Sequence, residues 1–337
     1  MKKEIFEEVR VGRLRLRNRL VRSATWLGLA APDGTLPEEA FETYRELAAG
    51  GVGAVVAGFT SVMDEDRWFG GMARLSRDDL VPQWRRLASV VHAGGAPLLA
   101  QLALGGFCRP DGCVAEPDDL SPGEIGLVAA RFADAARRAA EAGLDGVQIH
   151  AAHFFFLSRF VSPAANHRAD AWGGSTAGRA RILLDVLAAI RAAAPSLDVW
   201  VKLNGSDFTP GGIEPPEALE IARLLAGAGI DAIEASGNGT SVAGVRPGRG
   251  EAYFLPFAAR LAREVHVPVI LVGGLRSRAA MQRVLDETDV ALLSLSRPLL
   301  REPDWPDRLR RGLSDASACI SCNRCYSTPG HRCALRG

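Results

Sequence analysis

Nowhere does the 337-residue sequence hold the roughly eighteen apolar residues in a row that a membrane-spanning helix needs. Its basic N-terminus, MKKEIFEEVRVGRLRLRNRL, also lacks an uninterrupted apolar core of signal-peptide length. A cytoplasmic protein that does not enter the membrane is the expectation. Net charge is scarce too: 40 Lys and Arg against 39 Asp and Glu leave a formal +1, so no long-range field would draw nucleic acid or an anionic surface. The six cysteines make an odd disulfide framework for a large enzyme of a reducing compartment, because four of them crowd between Cys319 and Cys333. Tyrosine is found at only three positions, Tyr44, Tyr253 and Tyr326. The chain has no repeated block and no low-complexity linker.

What is present is ordinary for a globular enzyme, with 47% hydrophobic and 23% charged residues. Short apolar, β-branched runs alternate with longer stretches of helical period, the pattern of βα units whose parallel strands are buried on both faces. The runs predict eight strands: Leu20 to Ala24, Gly53 to Gly58, Pro97 to Leu102, Gly146 to His150, Val199 to Leu203, Ala232 to Glu234, Val269 to Val272 and Val290 to Ser294. Helices are expected over Pro37 to Ala49 after a Thr35 cap, Arg131 to Ala142, Thr176 to Ala194, Pro216 to Ala228 and Arg278 to Asp286. Val9 to Leu16 alternates around Gly12 like a small hairpin. The fold class that follows is α/β, a single (β/α)8 TIM-type barrel with an N-terminal hairpin and a C-terminal Cys-rich segment. The division is placed at 1–313 for the barrel and 314–337 for the segment. A homo-oligomer is left open.

In such a barrel, side chains at the C-terminal strand ends and in the following loops converge on the active site. Gln101, His150 and Lys202 fall at the ends of the third, fourth and fifth strands. Two histidines in the spacing His150-x-x-His153 point to function more strongly than one would. The loop that follows, Ser162 to Ser175, is dense in Gly, Pro and polar residues where the barrel needs only a short connection.

The stretch IHAAHFFFLSRFVSP, Ile149 to Pro163, followed by Asn166-x-Arg168-x-Asp170-x-Trp172-Gly173-Gly174-Ser175, resembles the old yellow enzyme family of FMN-dependent reductases. Leu16-Arg17-Asn18-Arg19 leading to Val21-Arg22-Ser23-Ala24-Thr25 resembles that family's first-strand flavin segment. Ser294-Leu295-Ser296-Arg297-Pro298 resembles its last-strand phosphate segment. The resemblance implies FMN as cofactor and NAD(P)H as hydride donor. It implies that Ser23, Ala24, Thr25 and Trp26 line the flavin edges, that Ala57 or Gly58 abuts the ring system, and that Gln101 bonds the pyrimidine. Lys202 would sit near the N1 and O2 atoms, and Gly273, Gly274, Ser296 and Arg297 would hold the phosphate. His150 and His153 would polarise the oxygen of an electron-poor acceptor such as an α,β-unsaturated carbonyl.

Most members carry a tyrosine two residues after the second histidine, and this sequence has Phe155 there, which has no proton to give. Tyr253 is the tyrosine whose position allows a replacement. Trp26, Phe155 and Tyr253 are thus the candidate substrate-pocket residues, and Trp172 is a further side chain that can narrow the pocket. Protonation is expected to be atypical, and the same active site can run as a desaturase or oxidase. A flavin or iron-sulfur cluster redox sensor without catalysis and a flavin-free aldolase using Lys202 as Schiff-base nucleophile are the other readings; a structural ion pair is the alternative role for that lysine.

Cys319-x-x-Cys322-x-x-Cys325-x7-Cys333 favours a [4Fe-4S] cluster, because neighbouring thiolates in one loop suit closely spaced irons. Zinc, which usually takes two separated pairs, and thiols without metal remain as alternatives. Larger relatives similar to 2,4-dienoyl-CoA reductase and trimethylamine dehydrogenase carry a cluster motif just after the barrel, beginning Cys-x-x-Cys-Asn like Cys319 to Asn323. In those proteins the cluster serves electron transfer, and in the reductase it connects to a downstream nucleotide-binding region. This sequence runs four residues beyond Cys333. Cys108 and Cys113 are expected to be thiols and not a second metal site.

Overall fold

The computed structural model describes residues 2–66 and 68–336; residues 1 and 337, at the outer ends of the two expected ranges, lie outside the described residues. Eight parallel strands close into a barrel: β1 (Leu20–Arg22), β2 (Ala54–Ser61), β3 (Leu98–Ala103), β4 (Gly146–Ala151), β5 (Asp198–Asn204), β6 (Ala232–Ser236), β7 (Val269–Val272) and β8 (Leu292–Leu295). Closure is made where Leu293 of β8 pairs with Leu20 and Val21 of β1 pairs with Ala54 of β2. Around it run α1 (Glu38–Ala49), α2 (Val81–Ala93), α3 (Pro122–Glu141), the short α4 (Phe156–Val161), α5 (Thr176–Ala193), α6 (Pro215–Gly227), α7 (Leu255–Glu264), α8 (Arg278–Glu287), α9 (Arg297–Arg301) and α10 (Trp305–Arg310).

The period of two within each strand divides the core. Val21, Val56, Leu99, Trp200, Ile270 and Leu292 point into the barrel, where Val11 and Leu16 of the hairpin Val9–Val11/Leu14–Leu16 join them and plug its lower end. Leu20, Val55, Leu98, Val147, Val201 and Leu293 point outward under the helices. Gly12 makes that plug possible: at φ +55 it is left-handed, and a Cβ there would stand 2.3 Å from Asp198 Oδ2. Asp198 instead accepts the Arg13 N–H at 3.0 Å.

The expected strands are all present, with ends shifted by at most three residues. Three local expectations are corrected. Thr35 does not cap α1, whose cap position is Pro37 without a side-chain bond; the Thr35 N–H is held by Asp33 Oδ1 at 2.9 Å. Helix α3 starts nine residues earlier than its apolar period indicates, at Pro122, because Ser121 and Glu124 form a capping box that carries the chain through Gly123 and Gly126. Trp172 packs away from the barrel mouth, donating Nε1–H to Asp185 at 2.8 Å beneath the Arg181 guanidinium. Among the described residues no helix is long and apolar enough to cross a membrane.

Candidate active site

The C-terminal ends of β1 to β8 surround a cavity of about 360 Å³. Of the residues singled out from sequence, Ser23, Ala24, Thr25, Trp26, Gln101, His150, His153, Phe155, Lys202, Tyr253, Gly273, Gly274, Ser296 and Arg297 all line it. Ala57 and Gly58 do not; the next residue, Phe59, forms the wall there.

Beneath the cavity runs a buried polar chain. Gln101 Nε2 donates to Gln148 Oε1 at 2.7 Å, and Gln148 Nε2 donates to Glu234 Oε2 at 2.8 Å. Ser23 Oγ donates to Glu234 Oε1 at 2.9 Å and accepts from Lys202 Nζ at 2.9 Å, while that ammonium lies 3.3 Å from the Glu234 carboxylate. Lys202 is therefore both a cavity residue and half of a buried ion pair. A carboxylate in the middle of a barrel strand can be buried because each of its oxygens is bonded.

The chain turns sharply after β4, with His153 and Phe154 both left-handed at φ 63 and 60, which returns His153 over the cavity. The His150 and His153 ring centroids are 5.1 Å apart in an edge-on arrangement. His153 Nε2 is hydrogen-bonded to Ser236 Oγ at 2.8 Å. Burial, followed by the charges of His153 and Lys202, holds the His150 pKa well below its ordinary 6.5. Burial and Lys202 bring His153 down to about 3. Both rings are neutral near pH 7, so each carries one N–H to donate.

Phe155 leans on His150, centroids 4.3 Å apart, and joins an aromatic wall with Phe59, Phe69 and Trp26. Tyr253 donates its hydroxyl to the Thr240 carbonyl and lies across Gly273 and Gly274, where a Cβ on either would come within 2.8 Å of its ring. This close approach and the φ values of +113 and +78 are why two glycines stand here. Sequence reasoning missed Gln148, Glu234, Ser236, Arg276, Phe59 and Phe69; it named Ser294 only within the phosphate segment and Cys325 only as a metal ligand, and did not foresee that the C-terminal segment adds Cys325, Tyr326 and His331 to the cavity wall.

The donor set fits a flavin nucleotide. Among the described residues, His150 Nδ1, Ser294 Oγ and Trp26 Nε1 are buried in cavity-lining residues with no hydrogen-bond partner, and the glycine pair opens backbone to the cavity beside Arg297. The C-terminal cysteines stand differently. Cys319, Cys322, Cys325 and Cys333 line one small cavity of about 20 Å³, but among the described residues no three His, Cys, Asp or Glu side chains are grouped so as to hold a metal ion as they stand. None of the six cysteines is in a disulfide.

A closed (β/α)8 barrel with this cavity at its C-terminal face defines a barrel flavoprotein of the FMN-dependent oxidoreductase class. The sequence pattern of the NADH:flavin oxidoreductase / NADH oxidase family matches residues 4–122 and 113–316, and the chain belongs to that family. It is 32% identical to 4,4'-dithiodibutanoate disulfide reductase of Rhodococcus erythropolis, over 98% of this chain and 95% of that protein. It is 30% identical to a metal reductase of Desulforamulus reducens, over 95% of this chain and 51% of the relative. With the NADH oxidase of Thermoanaerobacter brockii, 28% identical, it again spans about half of the relative, 52%. In structure it is similar to 2-naphthoyl-CoA reductase (TM-score 0.87, 22% identity, 95% of this chain and 54% of that one). The old yellow enzyme homologue of Zymomonas mobilis gives a TM-score of 0.78 at 22% identity, over 95% of this chain and 96% of that one.

Proposed function

We propose that this flavin-dependent NAD(P)H oxidoreductase reduces a small, electron-poor acceptor of the α,β-unsaturated carbonyl kind, with His150 and His153 as its polarising pair. The observation that carries the reading is that pair, buried, neutral and edge-on at 5.1 Å, in the same cavity as Gln101 and Lys202. FMN, when bound, supplies the relay of hydride from the nicotinamide to the acceptor. Ser23, Ala24, Thr25 and Trp26 would line its edges, Gln101 and Lys202 its pyrimidine side, and Gly273, Gly274, Ser296 and Arg297 its phosphate. Ala57 and Gly58 would support the wall from behind Phe59. The two imidazole N–H groups hold the acceptor oxygen as negative charge develops on it. Tyr253 shapes the cavity over the glycine pair, its hydroxyl already committed to Thr240.

Phe155 shields that oxygen from water on one side and offers no proton. Turnover of cyclohexenone with NADH or NADPH is therefore expected to be slow, and Phe155→Tyr is expected to raise it at least about tenfold, since a positioned acid is worth that much or more. Fast wild-type turnover that Phe155→Tyr leaves unchanged would remove this position from the chemistry.

Phe155, which offers no proton, favours a second reading, reduction of an organic disulfide, in keeping with the name of the relative that this chain nearly spans. Hydride adds to one sulfur, the S–S bond breaks, and the other sulfur leaves as a thiolate that solvent protonates; no carbon needs a proton. Parallel assays with cyclohexenone and an aliphatic disulfide separate the two.

For the segment 314–337 we propose that Cys319, Cys322, Cys325 and Cys333 are ligands of a [4Fe-4S] cluster, with zinc as the alternative. In support, the four side chains share one small cavity, and Leu335 N–H points at Cys333 Sγ at 3.4 Å. The thiols would have to turn inward to bind. Iron and acid-labile sulfide are expected after anaerobic purification; one equivalent of zinc without iron contradicts the cluster.

A further inference from the structure

Two arginines join the C-terminal segment to the glycine-pair end of the cavity. Arg297 Nη1 donates to Asn323 Oδ1 and, at 3.0 Å, to the Val242 carbonyl. Asn323 is anchored in turn by Nδ2, which donates to the Ser241 carbonyl at 2.7 Å. Arg276, only 2% exposed, donates Nη2–H to Ser321 Oγ at 2.9 Å and Nη1–H to the Leu275 carbonyl at 2.7 Å, while its Nε is buried without a partner among the described residues. Both arginines line the cavity, but Ser321 and Asn323 do not. They stand behind, on either side of Cys322, in left-handed backbone at φ 52 and 61. That conformation costs free energy in a residue with a Cβ, and the Gly244 N–H bond to the Ser321 carbonyl at 3.1 Å helps to retain it.

We infer that Ser321 and Asn323 are positioning residues for the flavin phosphate, acting through Arg276 and Arg297. The inference rests on the FMN reading above. An arginine free in solvent must give up many rotamers to clamp an anion, whereas one already tied at Nη1 or Nη2 has given them up before the anion arrives. Pinning one edge of the guanidinium also turns the rest of its fork in a fixed direction, the requirement for planar recognition of a phosphate. The Arg276 Nε, without a partner among the described residues, is a buried donor that the protein itself does not satisfy. The Cys-rich segment thereby completes the nucleotide site from outside the barrel.

Riboflavin provides the discriminating probe, since it has the ring system and no phosphate. Dissociation constants for FMN and riboflavin are measured by flavin fluorescence on flavin-stripped wild type, Asn323→Ala, Ser321→Ala, Arg297→Ala and the double variant Asn323→Ala/Arg297→Ala. FMN is expected to weaken on the order of tenfold in Asn323→Ala, as for loss of a hydrogen bond to a charged group, with riboflavin unchanged within about twofold. Ser321→Ala, which removes only a hydroxyl, is expected to move FMN in the same direction. The double variant is expected to be no weaker than Arg297→Ala alone, because the asparagine acts through that arginine. Equal weakening of both flavins, or none in either loop variant, overturns the inference while leaving the FMN reading intact. A wild type that binds neither flavin overturns both.

Discussion

Replacing His150 and His153 together by alanine is expected to lower kcat/KM for the acceptor by on the order of 10²–10³, the cost of removing preorganised donors from a developing oxyanion. FMN content should stay at the wild-type level, because Gln101, Lys202 and the glycine pair are untouched. On the proposed reading the two rings act as neutral donors: burial is the first cause of both low pKa values, and the neighbouring Lys202 charge adds to it. The wild-type profile of acceptor reduction should therefore show no acid limb from either imidazole between about pH 5 and 8. A limb near the ordinary 6.5 that disappears in the double variant would mean that the rings work as cations. In the flavin-free protein the linkage has a definite sign. A histidine whose folded pKa is depressed gives stability that is present above its unfolded value and is lost as pH falls from 6.5 toward about 3.

Lys202→Met is expected to destabilise the protein by about 3–5 kcal/mol in urea unfolding, because it strands a fully buried Glu234 carboxylate. The removed lysine is one of the cavity's floor groups, so FMN affinity should fall with it. Adding Glu234→Gln to that variant should recover much of the stability and little of the flavin affinity. On the proposed reading the first effect comes from an uncompensated charge and the second from a missing cation at the flavin. A loss below about 1 kcal/mol in the single variant would mean that the pair is well solvated and that the polar chain from Gln101 to Glu234 is not held together by charge.

The barrel is legible in the sequence because parallel strands covered on both faces write short, continuous apolar runs, as Val199 to Leu203 does. Their last polar residues, Gln101, His150 and Lys202, reach the mouth by geometry alone, and all three line the cavity. The same rule applied with more care finds the missed Ser236 at a strand end, and places Ser294, next to one, in the cavity wall as well. Glu234 had its own signal as well: a carboxylate inside the apolar run of β6 needs a buried cation, and Lys202 on the neighbouring strand stands directly opposite it. Other parts were written nowhere locally. Phe69, Arg276, Tyr326 and His331 come from loops and the tail, whose paths are set by what they pack against. Helix α3 hid its first nine residues because Pro122, Gly123 and Gly126 read as loop, although Ser121 and Glu124 spell the capping box that starts it. Trp172 carries a family motif and still lies away from the cavity, since Asn166, Arg168 and Trp172 spend their polar groups tying the loop to backbone carbonyls and to Asp185.

The most direct measurement is anaerobic stopped-flow reduction of the FMN-loaded protein by NADH and by NADPH, followed by mixing with cyclohexenone or an aliphatic disulfide. Bleaching of the flavin absorbance by at least one nicotinamide, then its return on addition of an acceptor, slowed in the His150→Ala/His153→Ala protein, is the predicted result. A flavin that neither nicotinamide reduces, or that both acceptors reoxidise at the same rate in wild type and in the double variant, would contradict it.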